Sequence, residues 1–572
     1  MICDSLSVAI DESSDNVPLY DPASRDALAR LSSTCSALSH TALRSLWKTV
    51  HNPAVIAKYT MPDDLWVITK SEPSSEDSDS ETETSDELAP TRPIVEEDLK
   101  RFNLYAPLVR RMNFGWGGDF TLCDNGHTAL IAACRAPVFP NLTHMGWSVD
   151  CVGLVFSQHF VCPSVTSIHI LSDELTMGDV AILRNIRRQC PAVTQLRVQL
   201  DDASDALAKA LSESICGWDL QKLKTTHLDQ NGLMQLASSP HLAELEVSND
   251  EDQCHIVSQP VDFARGSFAT LTSLALGLPI SFAACIDMLR SASFAHLRTL
   301  ALFGLTPEPA RWGALFAAIR AAHTQPHLLR KLVLRDHVLE SDLAPKGPEP
   351  EDASEARFAP LCEFGQLEEV QLSAQEGFRL SPSIVQGMAQ AWPELRDLRI
   401  VHRDRLEEPQ LPLSALAHLA IHCTRLEILE IDVDATGIIV PPDGALPTAP
   451  QGADTPQSAS EPQNTHNPQA AYQLQTSPKP RPRPQSALHT LLLNWSPITS
   501  ARPVAAYLSM LFLDLRTLLS VSREEVALST VPNPKWQKVA HLIPAFNAVR
   551  DYVLNPDGGT WQRVCDAEGT ED

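Results

Sequence analysis

The chain has 572 residues, 44% hydrophobic and 20% charged, with 71 Asp and Glu against 45 Lys and Arg. The length suffices for a large core, and the formal net charge of −26 excludes an extended nucleic-acid footprint, which needs a concentrated basic face. No apolar run reaches the roughly 18 residues of a membrane span; the richest, Tyr507–Leu519, is interrupted by Asp514.

Residues 1–20 are expected to be disordered. They open Met-Ile-Cys-Asp-Ser, without the basic and apolar regions of a signal peptide, so a cytoplasmic and/or nuclear protein is expected. The thirteen cysteines are odd in number and include no Cys-x-x-Cys pair, unlike a disulfide framework or zinc ribbon. Cys162, Cys190 and Cys423 precede apolar strand-like runs and are read as small buried hydrophobes. Residues 21–60 are expected to form a small helical module: Leu28, Leu31, Cys35 and Leu38 follow one helical stripe, and Leu43, Leu46 and Trp47 continue it on a second short helix.

Residues 61–93 are assigned to an acidic disordered linker, because Ser71–Glu87 holds eight acidic residues, eight Ser or Thr, one Pro and nothing apolar to bury. Ser74, Ser78, Ser80 and Thr84 each have an acid three residues downstream, the pattern acidophilic kinases resembling casein kinase favour; an unmodified solvated spacer is the alternative. Residues 94–138 are taken as a bridge and cap, 139–432 as repeats, 433–486 as a Pro-rich disordered insertion, and 487–572 as final repeats with a C-terminal cap. The insertion has 11 Pro within Pro441–Ser486, a density that removes donors and forbids helix and central strand.

The repeat frame is L-x-x-L-x-L, with Val, Ile or Met also at the apolar places. Clear copies start at Leu142, Val165, Val193, Leu242, Leu271, Leu297, Leu329, Leu367, Leu395, Leu426 and Leu488, and degenerate ones at Leu220 and Leu515. Most starts are 22 to 32 residues apart, with helix-like stretches such as Trp312–Arg320 between them. The x-L-x-L part alternates with period two and predicts a short strand; the helix returns the chain, and stacked coils share one core. This resembles the leucine-rich repeat family over roughly residues 139–520, which implies an α/β solenoid with parallel strands on the concave face and helices outside. One departure is that Asp150, Asp173, Asp201, Asp250 and Asp434 stand where that family often has a ladder Asn or Cys.

The stripe at Leu28, Leu31 and Cys35, leading to Ala42, Leu43, Leu46 and Trp47, is similar to the second half of an F-box-like domain. Glu96–Met112 likewise resembles the bridge joining such modules to repeats in fungal proteins. The Leu-Pro pair and apolar first helix of that family have no recognisable counterpart before Ser24. The resemblance implies a substrate-recognition subunit of an SCF-type cullin ubiquitin ligase, with Leu28, Leu31, Cys35, Leu38, Leu46 and Trp47 toward the Skp-type adaptor and cullin complex. The alternative is a non-catalytic repeat scaffold for protein–protein interaction in which Ser24–Val50 is only a cap.

In either case the residues between the strand leucines are expected on the open face: His169, Arg197, Glu246, Ala275, Ala301, Val333, Gln371, Arg399 and Glu430, then Phe303, Arg335, Val401 and Asp432. Phe303 and Val333 beside Arg335 have the composition of a binding hot spot, with Arg399 two repeats away. A protein substrate is the expected ligand. His418 and His422 are spaced i, i+4 beside Cys423, but no further ligand pattern follows, so no metal is assigned. No phosphate-cradling glycine motif or nucleophile elbow occurs; no cofactor, nucleic acid, membrane or catalytic residue is expected.

Overall fold

A computed structural model describes residues 22–70, 86–114, 120–149, 153–202, 204–247, 266–277, 282–305, 311–336, 354–374, 378–402, 409–437, 487–494, 496–520 and 533–554. The chain divides into two compact units, Met1–Leu297 and Arg298–Asp572. Each is α/β and solenoid-like, with one parallel strand per coil.

The first unit opens with helices α1 (Pro22–Thr34) and α2 (Ser36–Leu46), strand β1 (Thr49–Val50) and α3 (Pro53–Thr60). Next come β2 (Trp66–Lys70), β3 (Asp86–Pro90), α4 (Leu99–Tyr105), β4 (Arg111–Phe114), β5 (Phe120–Leu122) and α5 (Asp124–Ala133). Repeat coils follow: β6 (His144–Ser148), β7 (Ser167–Glu174), α6 (Met177–Gln189), β8 (Gln195–Asp202), α7 (Asp205–Ile215), β9 (Lys222–Thr225), α8 (Gln230–Ala237), β10 (Glu244–Val247), β11 (Ser273–Gly277) and α9 (Phe282–Ser291). Strands β1-β4-β6-β7-β8-β9-β10-β11 neighbour one another in that order, and β2-β3-β5 form a small separate sheet.

In the second unit the order is β12 (Thr299–Leu305), α10 (Trp312–Ala322), β13 (Lys331–Asp336), α11 (Ser354–Phe358), β14 (Glu369–Ala374), α12 (Pro382–Ala391), β15 (Asp397–His402), α13 (Leu416–His422) and β16 (Ile428–Ile431). Strand β17 (Thr490–Leu492), α14 (Ala501–Leu511), β18 (Thr517–Leu519) and α15 (Pro534–Leu554) complete it. Strands β12 to β18 pair in chain order. Every copy of the frame, the degenerate ones at Leu220 and Leu515 included, becomes a strand. The insides of the strands are apolar: Ile168 and Ile170, Leu332 and Leu334, and Leu429 and Ile431 are all at most 2% exposed.

Neighbouring coils are joined at the second place of the frame. In the first unit the carbonyl of Thr143 accepts the N–H groups of Thr166 (2.8 Å) and Ser167 (3.1 Å), and that of Thr166 accepts those of Thr194 (2.9 Å) and Gln195 (3.1 Å). The same two-to-one bond recurs in the second unit, from Arg396 and Asp397 to Glu368 and from Glu427 and Ile428 to Arg396. Threonine hydroxyls reinforce it in the first unit, with Thr143 donating to the Arg110 carbonyl (2.9 Å) and Thr272 to that of Ala243 (3.0 Å). Between strand and helix, N-caps close the exposed helix starts: the side chains of Ser204, Asp229 and Ser381 each accept a backbone N–H, and Thr176 and Asp179 form a reciprocal capping box.

Three expectations are corrected. Residues 61–93 are not all linker: Trp66–Lys70 pairs antiparallel with Asp86–Pro90, because Trp66 and Leu88 supply buried apolar anchors. The bridge contains a further copy, Val109-Arg-Arg-Met-Asn-Phe114, whose Met112 and Phe114 register with Met145 and Trp147. Residues 433–437 belong to the coil stack rather than the insertion, since Val433 is fully buried and Ala435 bridges to Ile498. In that same stretch Asp434, one of the aspartates noted above, builds a local turn by accepting from the Thr436 N–H (2.8 Å) and hydroxyl (2.6 Å). Residues 1–20, 71–85 and 438–486, and with them Ser74, Ser78, Ser80 and Thr84, lie outside the described residues.

The Arg92 guanidinium grips Asp98 with two hydrogen bonds (2.7 and 2.9 Å) while the Val95 N–H donates to the same carboxylate (3.0 Å). Asp98 is 5% exposed. Those donors favour the charged form and hold its carboxyl down at about 2. Its contribution to stability is therefore present above the ordinary carboxylate range and is lost as pH falls toward 2. Asp98→Asn is expected to lower stability near neutrality, with its unfolding curve converging on the native one between about pH 4 and pH 2, measured by acid titration of chemical denaturation. In the second unit, Trp392 is fully buried and donates its indole N–H to the Leu361 carbonyl (3.2 Å). Trp392→Ala is expected to cost about 3–5 kcal/mol, read from the shift in urea midpoint.

Candidate protein-binding face

Strand register places the outward side chains in rows. Adjacent strands are about 4.8 Å apart, and the fifth places of the frame stand opposite one another: His169 faces Arg197, Arg197 faces Lys224, and Lys224 faces Glu246. In the second unit Val333 faces Gln371, Gln371 faces Arg399, and Arg399 faces Glu430. The expected face residues therefore do come into line within each unit. Lys224 belongs among them and was missed because its copy, starting at Leu220, has Thr225 in place of the third apolar residue.

The two units use these rows differently. His169 shares a hydrogen bond with Gln199 (3.0 Å), and Glu246 pairs with Lys224 (2.9 Å). In the second unit the Arg335 guanidinium stands over the half-buried Phe303 ring at 5.6 Å and donates to Gln371 (2.9 Å), whose amide donates to Glu369 (2.8 Å). Arg399 donates to Asp397 on its own strand at 2.9 Å, and this bond and the nearby Glu430 and Glu369 raise its pKa further. Asn494, also missed, donates to Glu430 (2.7 Å).

Val333 does not present the exposed apolar group expected of it. It is 3% exposed, like Ala301 opposite it at 5%, so its place in the outward row is covered. The apolar part of that cluster is Phe303, and it already carries Arg335.

The helical module splits its expected contact residues into two sets. Leu28 is fully buried and Trp47 is 8% exposed, packed against Tyr105 with ring centroids 5.3 Å apart. Trp47 is buried because it occupies the first place of a shortened frame, Trp47-Lys-Thr-Val50, whose strand pairs Thr49 with Arg111 and Val50 with Met112. Cys35 and Leu38 are exposed, Leu38 at 42%, while Leu31 and Leu46 are half-buried. Cys35 stands at the break between α1 and α2 in an extended conformation.

His418 and His422 are half-buried on α13, with the His418 pKa lowered by burial and then by the neighbouring histidine. Among the described residues no group of three His, Cys, Asp or Glu could hold a metal ion, and no helix is long and apolar enough to cross a membrane. Burial pushes the Cys190 and Cys423 thiols up to about 12, so both remain protonated and inert.

Compared with known proteins, the chain matches no protein-family model and no curated sequence.

The division within the helical module is testable. Trp47→Ala is expected to destabilise the first unit by about 3–5 kcal/mol. Leu38→Asp, on an exposed helical position, should stay within about 0.5 kcal/mol of the native protein, both by chemical denaturation followed by circular dichroism.

Proposed function

We propose that this chain is a protein-recognition solenoid of the leucine-rich-repeat type, which takes up a segment of another protein along the outward side chains of its strands and performs no chemistry of its own. The observation that carries this is the register: outward third and fifth places of successive coils stand opposite each other, so one extended ligand meets a row of polar and charged groups contributed by many coils. Such rows are held by inward neighbours that are buried in every strand from β6 to β17, which keeps the ordering cost of binding low.

Site-specific photocrosslinking tests it. A crosslinker at Gln371, on the strand face, is expected to label a protein partner that a crosslinker at Gln390, exposed on outer helix α12, does not. Arg335→Glu should reduce the Gln371 adduct. Equal labelling from both positions, unaffected by Arg335→Glu, would sink the proposal.

A second function is favoured by the exposure of Cys35 and Leu38 on the α1–α2 pair, with Leu31 partly open. In that assembly the chain is the substrate receptor of an SCF-type cullin ubiquitin ligase, and the pair docks a Skp-type adaptor through Leu31, Cys35, Leu38 and Leu46. Leu28 and Trp47 then act only by holding the helices in place. Purified adaptor is expected to co-elute with the full chain, and Leu38→Asp to weaken that association at least about ten-fold without unfolding, as for loss of a central apolar anchor. A folded native chain that never binds the adaptor leaves the scaffold function alone.

A further inference from the structure

The small sheet β2-β3-β5 has an open side. Strand β2 is its first member, and among the described residues β3 is the one strand beside it. The register tells which backbone groups of β2 face outward. Thr91 donates to the Leu65 carbonyl (2.9 Å), which makes Leu65 and Thr91 a bonded pair of the antiparallel ladder. Bonded and non-bonded pairs alternate, so Val67–Ala89 and Thr69–Glu87 exchange bonds, while Trp66–Pro90, Ile68–Leu88 and Lys70–Asp86 do not. Two further facts agree: Pro90 has no N–H to give, and the Leu88 carbonyl turns to β5's side, where it accepts from the Cys123 N–H (3.2 Å). The Trp66 N–H closes the preceding turn on the Asp63 carbonyl. Left on the open side are the Trp66 carbonyl, both backbone groups of Ile68 and the Lys70 N–H.

From this edge we infer that β2 takes an extended segment of a partner protein as an added strand, a segment with alternating apolar residues and with Lys or Arg at its ends. The apolar requirement comes from burial. Ile68 shares a face with Trp66, 6% exposed, and with Leu88, fully buried, yet is itself 45% exposed at the open side. Val67, on the other face, is 44% exposed. An added strand covers both while satisfying the outward backbone groups. The charge requirement comes from the surround. Residues 61–90 contain ten Asp or Glu and one Lys. Lys58 meets Asp63 (2.9 Å) and Arg92 meets Asp64 (3.6 Å). Setting Lys70 against a third acid as well, ten less three leaves seven in excess. A second copy of β2 would bring the same acids and repel, whereas a basic-ended segment is drawn in. This edge belongs to a different sheet from the strand face proposed above, and the inference does not depend on that function.

The experiment uses the full chain and three short fluorescent peptides in which Val alternates with Thr, followed by fluorescence anisotropy at low and high salt. The first ends in Lys on both sides, the second ends in Glu, and the third keeps the Lys ends but has Pro at its centre. The Lys-ended peptide is expected to bind tightest, to weaken with salt, and to lose at least about ten-fold in affinity when Pro removes its central donor. In Ile68→Pro the missing N–H is an outward one, so the bonds to β3 stay while the edge is blocked. That variant should also lose at least about ten-fold for the Lys-ended peptide. Val549→Asp, at an exposed place in the second unit, should change the affinity less than about two-fold. Circular dichroism checks folding; if Ile68→Pro does not fold, Ile68→Lys replaces it, with an expected loss of at least about three-fold from a charge on the edge. Amide exchange locates the binding: the Ile68 N–H should slow at least about five-fold with saturating Lys-ended peptide.

A Lys-ended peptide binding no tighter than the Glu-ended one overturns the inference. Equal binding of the Pro-centred peptide, or undiminished binding by folded Ile68→Pro, means attraction to the acids without an added strand and overturns it too. No binding by any peptide does the same. If the free chain dimerises with rising concentration in sedimentation and Ile68→Pro abolishes this, the occupant is a second copy and the partner segment is overturned. Crosslinking from Gln371 decides the strand-face function separately.

Discussion

Everything in these coils hangs on one carbonyl per repeat. The oxygen at the second place of the frame takes two successive N–H groups of the next coil, using both of its lone pairs, and so fixes where the following strand starts. Once that start is fixed, the alternation of a strand sends the fourth and sixth places inward and the third and fifth outward in every coil. A one-residue slip would turn the leucines to solvent. The bond recurs from Lys48, which accepts from Arg110 and Arg111, to His489, which accepts from Arg516 and Thr517. Side chains around it differ by unit: Thr143, Thr166 and Thr272 add a hydroxyl bond to the same oxygen in the first, whereas Arg330–Glu368 and Arg396–Glu427 pair across coils in the second. Exposed ion pairs of that kind are worth about 0–1 kcal/mol each, so the carbonyls and the buried frame, not the charges, hold the stack.

A second column lies three residues before the first leucine of most copies, interrupted among the described residues at Gly217, Ser239 and Pro326. Phe139, Cys162 and Cys190 fill it at the start of the repeats, Phe268 and Phe294 follow, and Phe364, Trp392, Cys423 and Phe512 continue it in the second unit, all at most 2% exposed. The cysteines do more than fill space. Cys190 points its thiol at the Cys162 carbonyl (3.3 Å) and Cys423 at that of Trp392 (3.5 Å), the equivalent residue one coil earlier. A thiol suits a place that is apolar on one side and faces a coil-end carbonyl on the other. Burial in that column pushes the Cys190 and Cys423 thiols toward the protonated form, and aromatic rings fill the same place in other coils.

Much of this was legible because the frame states it directly: a copy with three apolar places gives a strand wherever it occurs. The copy at Val109 escaped notice because it begins inside a charged stretch, with Arg110 and Arg111 disguising its alternation. The column of aromatic residues and cysteines was equally visible at a constant offset, but only its cysteines stood out. Strands β2 and β3 were harder to see. Their apolar residues adjoin an acidic run that dominates the local composition, and their pairing is non-local in sequence. Burial of an outward residue, as at Val333, depends on what packs over the face, which alternation alone does not encode. For Trp47, the same letter serves a helix end and a strand start; only pairing with β4 decides between them.

Charge on the open face shows the same limit. Counting cations along the outward rows does not distinguish the two units, since the second has Lys331, Arg335 and Arg399 there. What separates them is where acids fall. Asp397 stands two residues before Arg399 on one strand and holds it, and Glu369 stands opposite Lys331 and pairs with it at 2.9 Å, so positive groups in the second unit are met within the rows. Between β4 and β8 of the first unit no acid occupies a third or fifth place. Net charge, at −26, carries no trace of this. The sign presented along the rows is set by register, and register is set by the carbonyl that joins one coil to the next.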